Sequence, residues 1–340
     1  MAGRKYGLDL GTNYVKIYDN IRKNILVEKN MIAVRKKKEI VAAGDAAYEI
    51  YEKVSDNIVI KHPVRDGVIA DVDPMGKLFD YLLKKLNCSN SMMRHNEFYL
   101  AVPSSITEVE KRAFFSLVNY STYKTHNASI VEKPVAAALG EGLDVKRAGG
   151  IMVVDMGADT TEISIIALGG IVLSRLIKTG GNTINEAICN EVKLAHNMII
   201  GYKTAEYLKL TLGSAVPTMA EPVTVYGRDL ITGLPVHVPI PASLVFQCIL
   251  TVLDPVLGAM RSLLERTPPE LNNDIFDHGI YVTGGTSQIP NLERLIASRT
   301  RMKVNMSSHP QESVVKGLDV IMNSYELSDL AFSVRESAFY

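Results

Sequence analysis

Two short segments carry the same arrangement of residue types, and the arrangement suits phosphate. Gly7-Leu8-Asp9-Leu10-Gly11-Thr12 and Val153-Val154-Asp155-Met156-Gly157-Ala158-Asp159-Thr160 each read as apolar strand, aspartate, apolar residue, glycine, then threonine. Each sets a carboxylate at a strand end, immediately before a glycine turn and a second strand. Glycine there lets backbone N–H groups approach phosphate oxygens with no Cβ in the way. Threonine hydroxyls add donors, and Asp9 and Asp155 can hold magnesium through its water shell. A single Asp-x-Gly segment is usually only a turn. An internal repeat of it predicts two facing hairpins that clamp one nucleoside phosphate.

Three further features could complete such a site. Thr283-Gly284-Gly285-Thr286-Ser287 follows a strand at 280–282 and offers bare backbone to a base or ribose beside a helix N-terminus. Gly180-Gly181-Asn182 has the same form; it either joins the site or is only a helix start with Asn182 as N-cap. Glu206 and Lys209, three apart on one predicted helix face, either take ribose and base or form a surface ion pair.

The elements that must position these residues alternate between strand and helix patterns, which predicts an α/β protein. Strands are expected at 7–9 and 14–18, a helix at 74–86, a strand at 98–102 and a helix at 107–120 opened by a Thr107/Glu110 capping box. A short strand at 129–131 leads into an Ala-rich helix at 134–140, with proline in its first turn. The second half repeats this grammar: strands at 151–155 and 161–167, helices at 180–196 and 204–212, and a hairpin within 223–238. A long helix at 243–264, a strand at 280–283 and a helix at 291–300 complete it.

Composition narrows the function. The chain has 340 residues, enough for two domains, and 37 Lys+Arg balance 37 Asp+Glu. Zero net charge speaks against a nucleic-acid binder, so no nucleic-acid partner is expected. Cys88, Cys189 and Cys248 are odd in number and widely spaced, which disfavours a disulfide framework or a zinc site. The apolar run 163–173 is too short to cross a membrane, and 244–260 is interrupted by Gln247, Asp254 and Pro255. No apolar signal core follows Arg4 and Lys5, so a cytoplasmic location is expected. Arg35-Lys36-Lys37-Lys38 reads as a solvated turn.

The sequence resembles the actin superfamily, and within it the bacterial MreB proteins. The resemblance is carried by 7–12, by His62-Pro63-Val64-Arg65-Asp66-Gly67-Val68-Ile69-Ala70-Asp71, and by Val131-Glu132-Lys133-Pro134-Val135-Ala136-Ala137-Ala138-Leu139-Gly140. Segments 154–162, 229–235, 267–271 and 281–286 add to it, so it spans about 6–322. It implies an actin/DnaK-type ATPase fold: two RNase H-like halves in four subdomains around a nucleotide cleft. The subdomains would be 1–33 with 73–144 and 315–340 (IA), 34–72 (IB), 145–180 with 242–314 (IIA) and 181–241 (IIB). It implies ATP or ADP with Mg2+, and self-assembly into paired protofilaments for cell shape or motility. The phosphate loops would be Gly11, Thr12, Asn13 and Tyr14, and Gly157, Ala158, Asp159 and Thr160. Gly284, Gly285, Thr286 and Ser287 would take the adenosine, with Gly181, Asn182, Glu206 and Lys209 nearby. Lys16 sits where conventional actin has a phosphate-contacting lysine; it is either such a cation or an exposed strand lysine.

The chain departs from its family at the hydrolytic position. Where MreB proteins read Glu-Glu-Pro it has Glu132-Lys133-Pro134, and where they read Asp-Ile-Gly-Gly-Gly-Thr-Thr it has Asp155-Met156-Gly157-Ala158-Asp159-Thr160-Thr161. The second glutamate orients the attacking water in the family. A lysine beside polyphosphate stays protonated and has no lone pair for that task. Turnover is therefore expected to be weak, with Glu132, Lys133, Asp159 and Thr161 at the reacting end and Lys133 and Asp159 a compensating pair. Other MreB paralogues are possible partners, and Met92-Met93 falls at the family's membrane loop, as an insertion or an ordinary loop. Residues 325–340 either dock on the core, reach a partner or fray. A sugar kinase or a chaperone is disfavoured by length; a non-polymerising ATP-binding scaffold is the main alternative.

Overall fold

The computed structural model describes residues 4–35, 39–88, 96–123 and 125–333, and its chain divides into two compact units. The first comprises Met1–Ala148, Ile166–Ser174 and Gln311–Tyr340, the second Gly149–Ile165 and Arg175–Pro310. Met92, Met93, Lys36, Lys37, Lys38 and the end of the tail lie outside the described residues.

The principal sheet of the first unit runs Phe332–Ser333, Thr125–Glu132, Asn96–Val102, Arg4–Leu10, Tyr14–Asp19, Asn24–Lys29 from edge to edge. Arg4–Leu10 pairs antiparallel with Tyr14–Asp19 and parallel with Asn96–Val102, which is in turn parallel to Thr125–Glu132. Helices Val72–Lys85 and Glu108–Asn119 press apolar stripes onto it, burying Leu78, Phe79, Phe114 and Val118 with Tyr6, Leu8, Phe98 and Leu100 from the strands. The Thr107/Glu110 capping box forms as predicted. A small sheet of Ile32–Arg35, Ile40–Ala43 and Ile58–Lys61 carries its own minor core of Met31, Ala33 and Ala47.

The principal sheet of the second unit runs Gly170–Ile177, Thr161–Ala167, Ile151–Met156, Ile280–Thr283, Val304–Met306. Its last three strands are parallel neighbours. Numbered along the chain, its order is 3-2-1-4-5, and the first unit repeats that order before its extra edge strand. The repeat read from two short motifs is thus a repeat of whole sheets, each with its aspartate at the carboxyl end of strand 1.

Several expectations need correction. The strand expected at 129–131 is Thr125–Glu132. Strand Gly170–Ile177 and helices Pro269–His278 and Ser313–Asn323 were not expected. The first of these follows a turn in which Leu168 and Gly169 both take positive φ, +53° and +78°. Helix Ala242–Arg266 runs unbroken through Pro255 and is by length and composition able to cross a membrane. Gln247, Asp254 and Pro255 do not interrupt it; they lie on its exposed face, opposite Val245, Ile249, Val252, Val256 and Met260 in the core. Gly180, not Asn182, is the N-cap of helix Gly181–His196.

Candidate phosphate-binding hairpins

The first hairpin turns at Gly11-Thr12-Asn13 between strands Arg4–Leu10 and Tyr14–Asp19. A Cβ on Gly11 would stand 2.9 Å from the Tyr14 carbonyl oxygen, inside van der Waals contact, so the turn requires glycine. Buried Asn30 braces it, its side-chain amide donating to the Gly11 carbonyl at 2.7 Å and its backbone N–H to the Asn13 carbonyl at 2.9 Å. Tyr14 pairs in register with Lys29, whose ammonium lies 4.2 Å from the Tyr14 ring and 4.2 Å from the Tyr48 ring. That Asn30 braces this turn was not legible in the sequence; it lies just beyond Lys29 in the strand register.

Asp9 faces Lys16 directly across this hairpin, and Lys16 Nζ donates to Asp9 Oδ2 at 2.8 Å. Lys16 is therefore not an exposed strand lysine. Lys133, the first residue of helix Lys133–Gly140, places Nζ 3.4 Å from Asp9 Oδ1. Both carboxylate oxygens of a buried aspartate thus meet ammonium groups. Burial pushes the Asp9 carboxyl upward, but Lys133 and Lys16 together outweigh it and hold the group down at about 2. Glu132 is the N-cap residue before that helix; burial raises its carboxyl, and the cation that opposes the rise is Lys111.

The lysine is positioned by contact between two helix backbones. A Cβ on Gly317 of helix Ser313–Asn323 would overlap the Ala136 carbonyl oxygen, and one on Gly140 would overlap that of Ser313. Only glycine at both crossings lets helix Lys133–Gly140 sit this close, and its first residue reaches Asp9 as a result.

The second hairpin repeats the first. A Cβ on Gly157 would lie 2.9 Å from the Thr160 carbonyl oxygen, which accepts the Gly157 N–H at 2.8 Å. Here the start of helix Gly181–His196 rests on the loop. Gly181 N–H donates to the Gly157 carbonyl at 3.2 Å and Asn182 N–H to that of Ala158 at 2.7 Å. Asn182 also donates from its side-chain amide to Asp159 at 2.6 Å and accepts from the Tyr202 hydroxyl. Asp159, the acid in place of a glycine, is tied into a Tyr202–Asn182–Asp159 chain that the sequence did not reveal. Thr161, expected at the reacting end, is fully buried, and its hydroxyl donates to the Thr179 carbonyl at 2.8 Å.

The third glycine element joins this second hairpin. Gly284 has φ +89°, and a Cβ there would overlap both the Asp155 carboxylate and the Met156 carbonyl. Thr286 Oγ1 donates to the Gly157 carbonyl at 2.6 Å, and Ser287 Oγ to that of Gly284 at 2.7 Å. Gly285 is exposed and enters a short 3-10 turn, Gly285–Gln288, ahead of helix Leu292–Thr300. Lys209, on helix Tyr202–Leu212, donates to the Gly181 carbonyl at 2.9 Å, with Glu206 one turn earlier on the same helix and half buried. Asp155, Gly157, Ala158, Asp159, Gly181, Asn182, Lys209, Gly284 and Thr286 therefore gather in one place.

Magnesium at Asp9 does not fit this arrangement. Its two oxygens already serve two ammoniums, which a magnesium ion there would have to displace or face as like charges.

A family model described as MreB/Mbl protein matches residues 3–329. The chain belongs to the MreB/Mbl family. The cell shape-determining protein Mbl of Bacillus subtilis is 31% identical over 328 residues, covering 96% of this chain and 98% of the relative. The cell shape-determining protein MreB of Escherichia coli K12 is 34% identical over 324 residues, covering 93% and 92%. The crystal structure of MreB5 of Spiroplasma citri bound to AMPPNP matches with a TM-score of 0.91 at 30% identity, over 97% of this chain and 98% of that one. The MamK double helical filament matches with a TM-score of 0.80 at 20% identity, which speaks to fold alone. The fold of this MreB/Mbl-family chain is actin-like.

Proposed function

We propose that this chain binds ATP or ADP through its glycine hairpins and assembles with itself into cytoskeletal protofilaments in the cytoplasm, turning ATP over slowly. The observation that carries the reading is the matched construction of the turns at Gly11 and Gly157. Each is closed to a Cβ by a carbonyl three residues on, and each follows a buried aspartate at the end of strand 1. The MreB5 structures bound to ADP and AMPPNP support nucleotide as the ligand.

Slow turnover follows from Lys133. Its ammonium is held on a buried carboxylate, so it neither orients nor deprotonates water. Glu132 lies beside it at the strand end, and burial raises its carboxyl against the charge of Lys111. Four subdomains with the boundaries given above, association with other MreB proteins, and shallow membrane contact through Met92 and Met93 belong to the same reading. Filaments use nucleotide as a lever: the bound form is the one that fits the next subunit. Displacement of a fluorescent ATP analogue by ATP and ADP tests the base of this. Saturable, competed binding is expected, and its absence would remove the reading.

A further inference from the structure

The first hairpin brings two ammonium groups to a carboxylate expected to hold magnesium. Asp9 is 2% exposed and engages Lys16 at 2.8 Å and Lys133 at 3.4 Å, one ammonium on each oxygen. Both ammoniums stand with Asp9 at the carboxyl ends of the parallel strands, where open α/β sheets bind ligands. A divalent ion brought to Asp9 would have to displace an ammonium or face two like charges at close range, where repulsion is strong. An ammonium carries three donors, so pairing with Asp9 is compatible with a phosphate oxygen as a second acceptor.

We propose that Lys16 and Lys133, held on Asp9, replace the divalent cation, so that this chain takes nucleoside di- and triphosphates in metal-free form. The inference rests on the nucleotide reading above and adds to it the ionic form of the ligand. Lys16 is fixed by its cross-strand place opposite Asp9, and Lys133 by the glycine crossing of its helix with Ser313–Asn323. Neither depends on a bound metal for its position.

Isothermal titration calorimetry of the full chain with ADP and with AMPPNP, in EDTA and again in excess MgCl2, tests it. The two buffers should give dissociation constants within about threefold of each other. Lys16→Gln and Lys133→Gln should each weaken binding in EDTA by roughly 10–100-fold, the worth of a charged hydrogen bond, and make it magnesium-dependent. Lys133→Arg keeps the charge and should keep metal-free binding; thermal melts establish that each variant is folded. Wild-type binding that needs magnesium, or Gln variants as tight as wild type in EDTA, would overturn the inference and leave the nucleotide reading standing. No heat of binding in either buffer would overturn both.

Discussion

Asp9 is where burial and charge compete most directly in this chain. Taken alone, its burial favours the neutral acid; the two lysines reverse that and hold the carboxyl at about 2, below its ordinary 3.8. A carboxyl lowered in the folded state adds stability above its unfolded value and loses it as pH falls through the folded one. The contribution, about 2 kcal/mol by linkage, should be complete above about pH 4 and gone by about pH 2. Urea denaturation of wild type and Asp9→Asn should therefore differ by about 2 kcal/mol near neutrality, with the gap closing on acidification. A gap that is flat with pH would mean that the lysines do not act on Asp9. Lys133 makes a separate kinetic prediction at this scale. Phosphate release by Lys133→Glu/Asp159→Gly should exceed wild type by ~10²–10⁴-fold, the usual worth of positioned acid–base help. Rapid release by wild type, unchanged in the double variant, would contradict it.

Hairpins and helices show how much of this was readable in advance. The two turns were legible because their chemistry is local: a glycine that admits no Cβ lies within three residues of the carbonyl that excludes it. Lys16 was half legible, since the hairpin register alone places it opposite Asp9. Lys133 against Asp9 was not. It depends on Gly140 meeting Ser313 and Gly317 meeting Ala136, contacts between segments far apart in sequence, one of them in a helix that composition did not signal. Strand Gly170–Ile177 escaped for a related reason: its period is masked by a run of apolar residues on both sides of the Leu168-Gly169 turn. The helix crossing yields its own test. Gly317→Ala gains about 1 kcal/mol of helix propensity, but its methyl overlaps a backbone carbonyl that no rotamer can relieve, at about 1–3 kcal/mol or more. Net destabilisation of about 1 kcal/mol or more is expected in chemical denaturation, with nucleotide binding weakened as Lys133 shifts. A stabilised variant would show that the helices are not held by this contact.

At the scale of the whole molecule, two units carry the same 3-2-1-4-5 sheet order, each with an aspartate and a glycine turn at the end of its first strand. The family relationship extends over residues 3–329, so this arrangement is that of an MreB/Mbl protein throughout rather than of one grafted motif. Weak turnover in such a protein would give filaments that persist once formed, because nucleotide state is then reset slowly. High-speed sedimentation of the purified chain with ATP, AMPPNP or no nucleotide, with electron microscopy of the pellet, tests the central claim. The account predicts a pelleted fraction that rises with either nucleotide and consists of filaments. Monomers remaining in the supernatant under every nucleotide condition would contradict it.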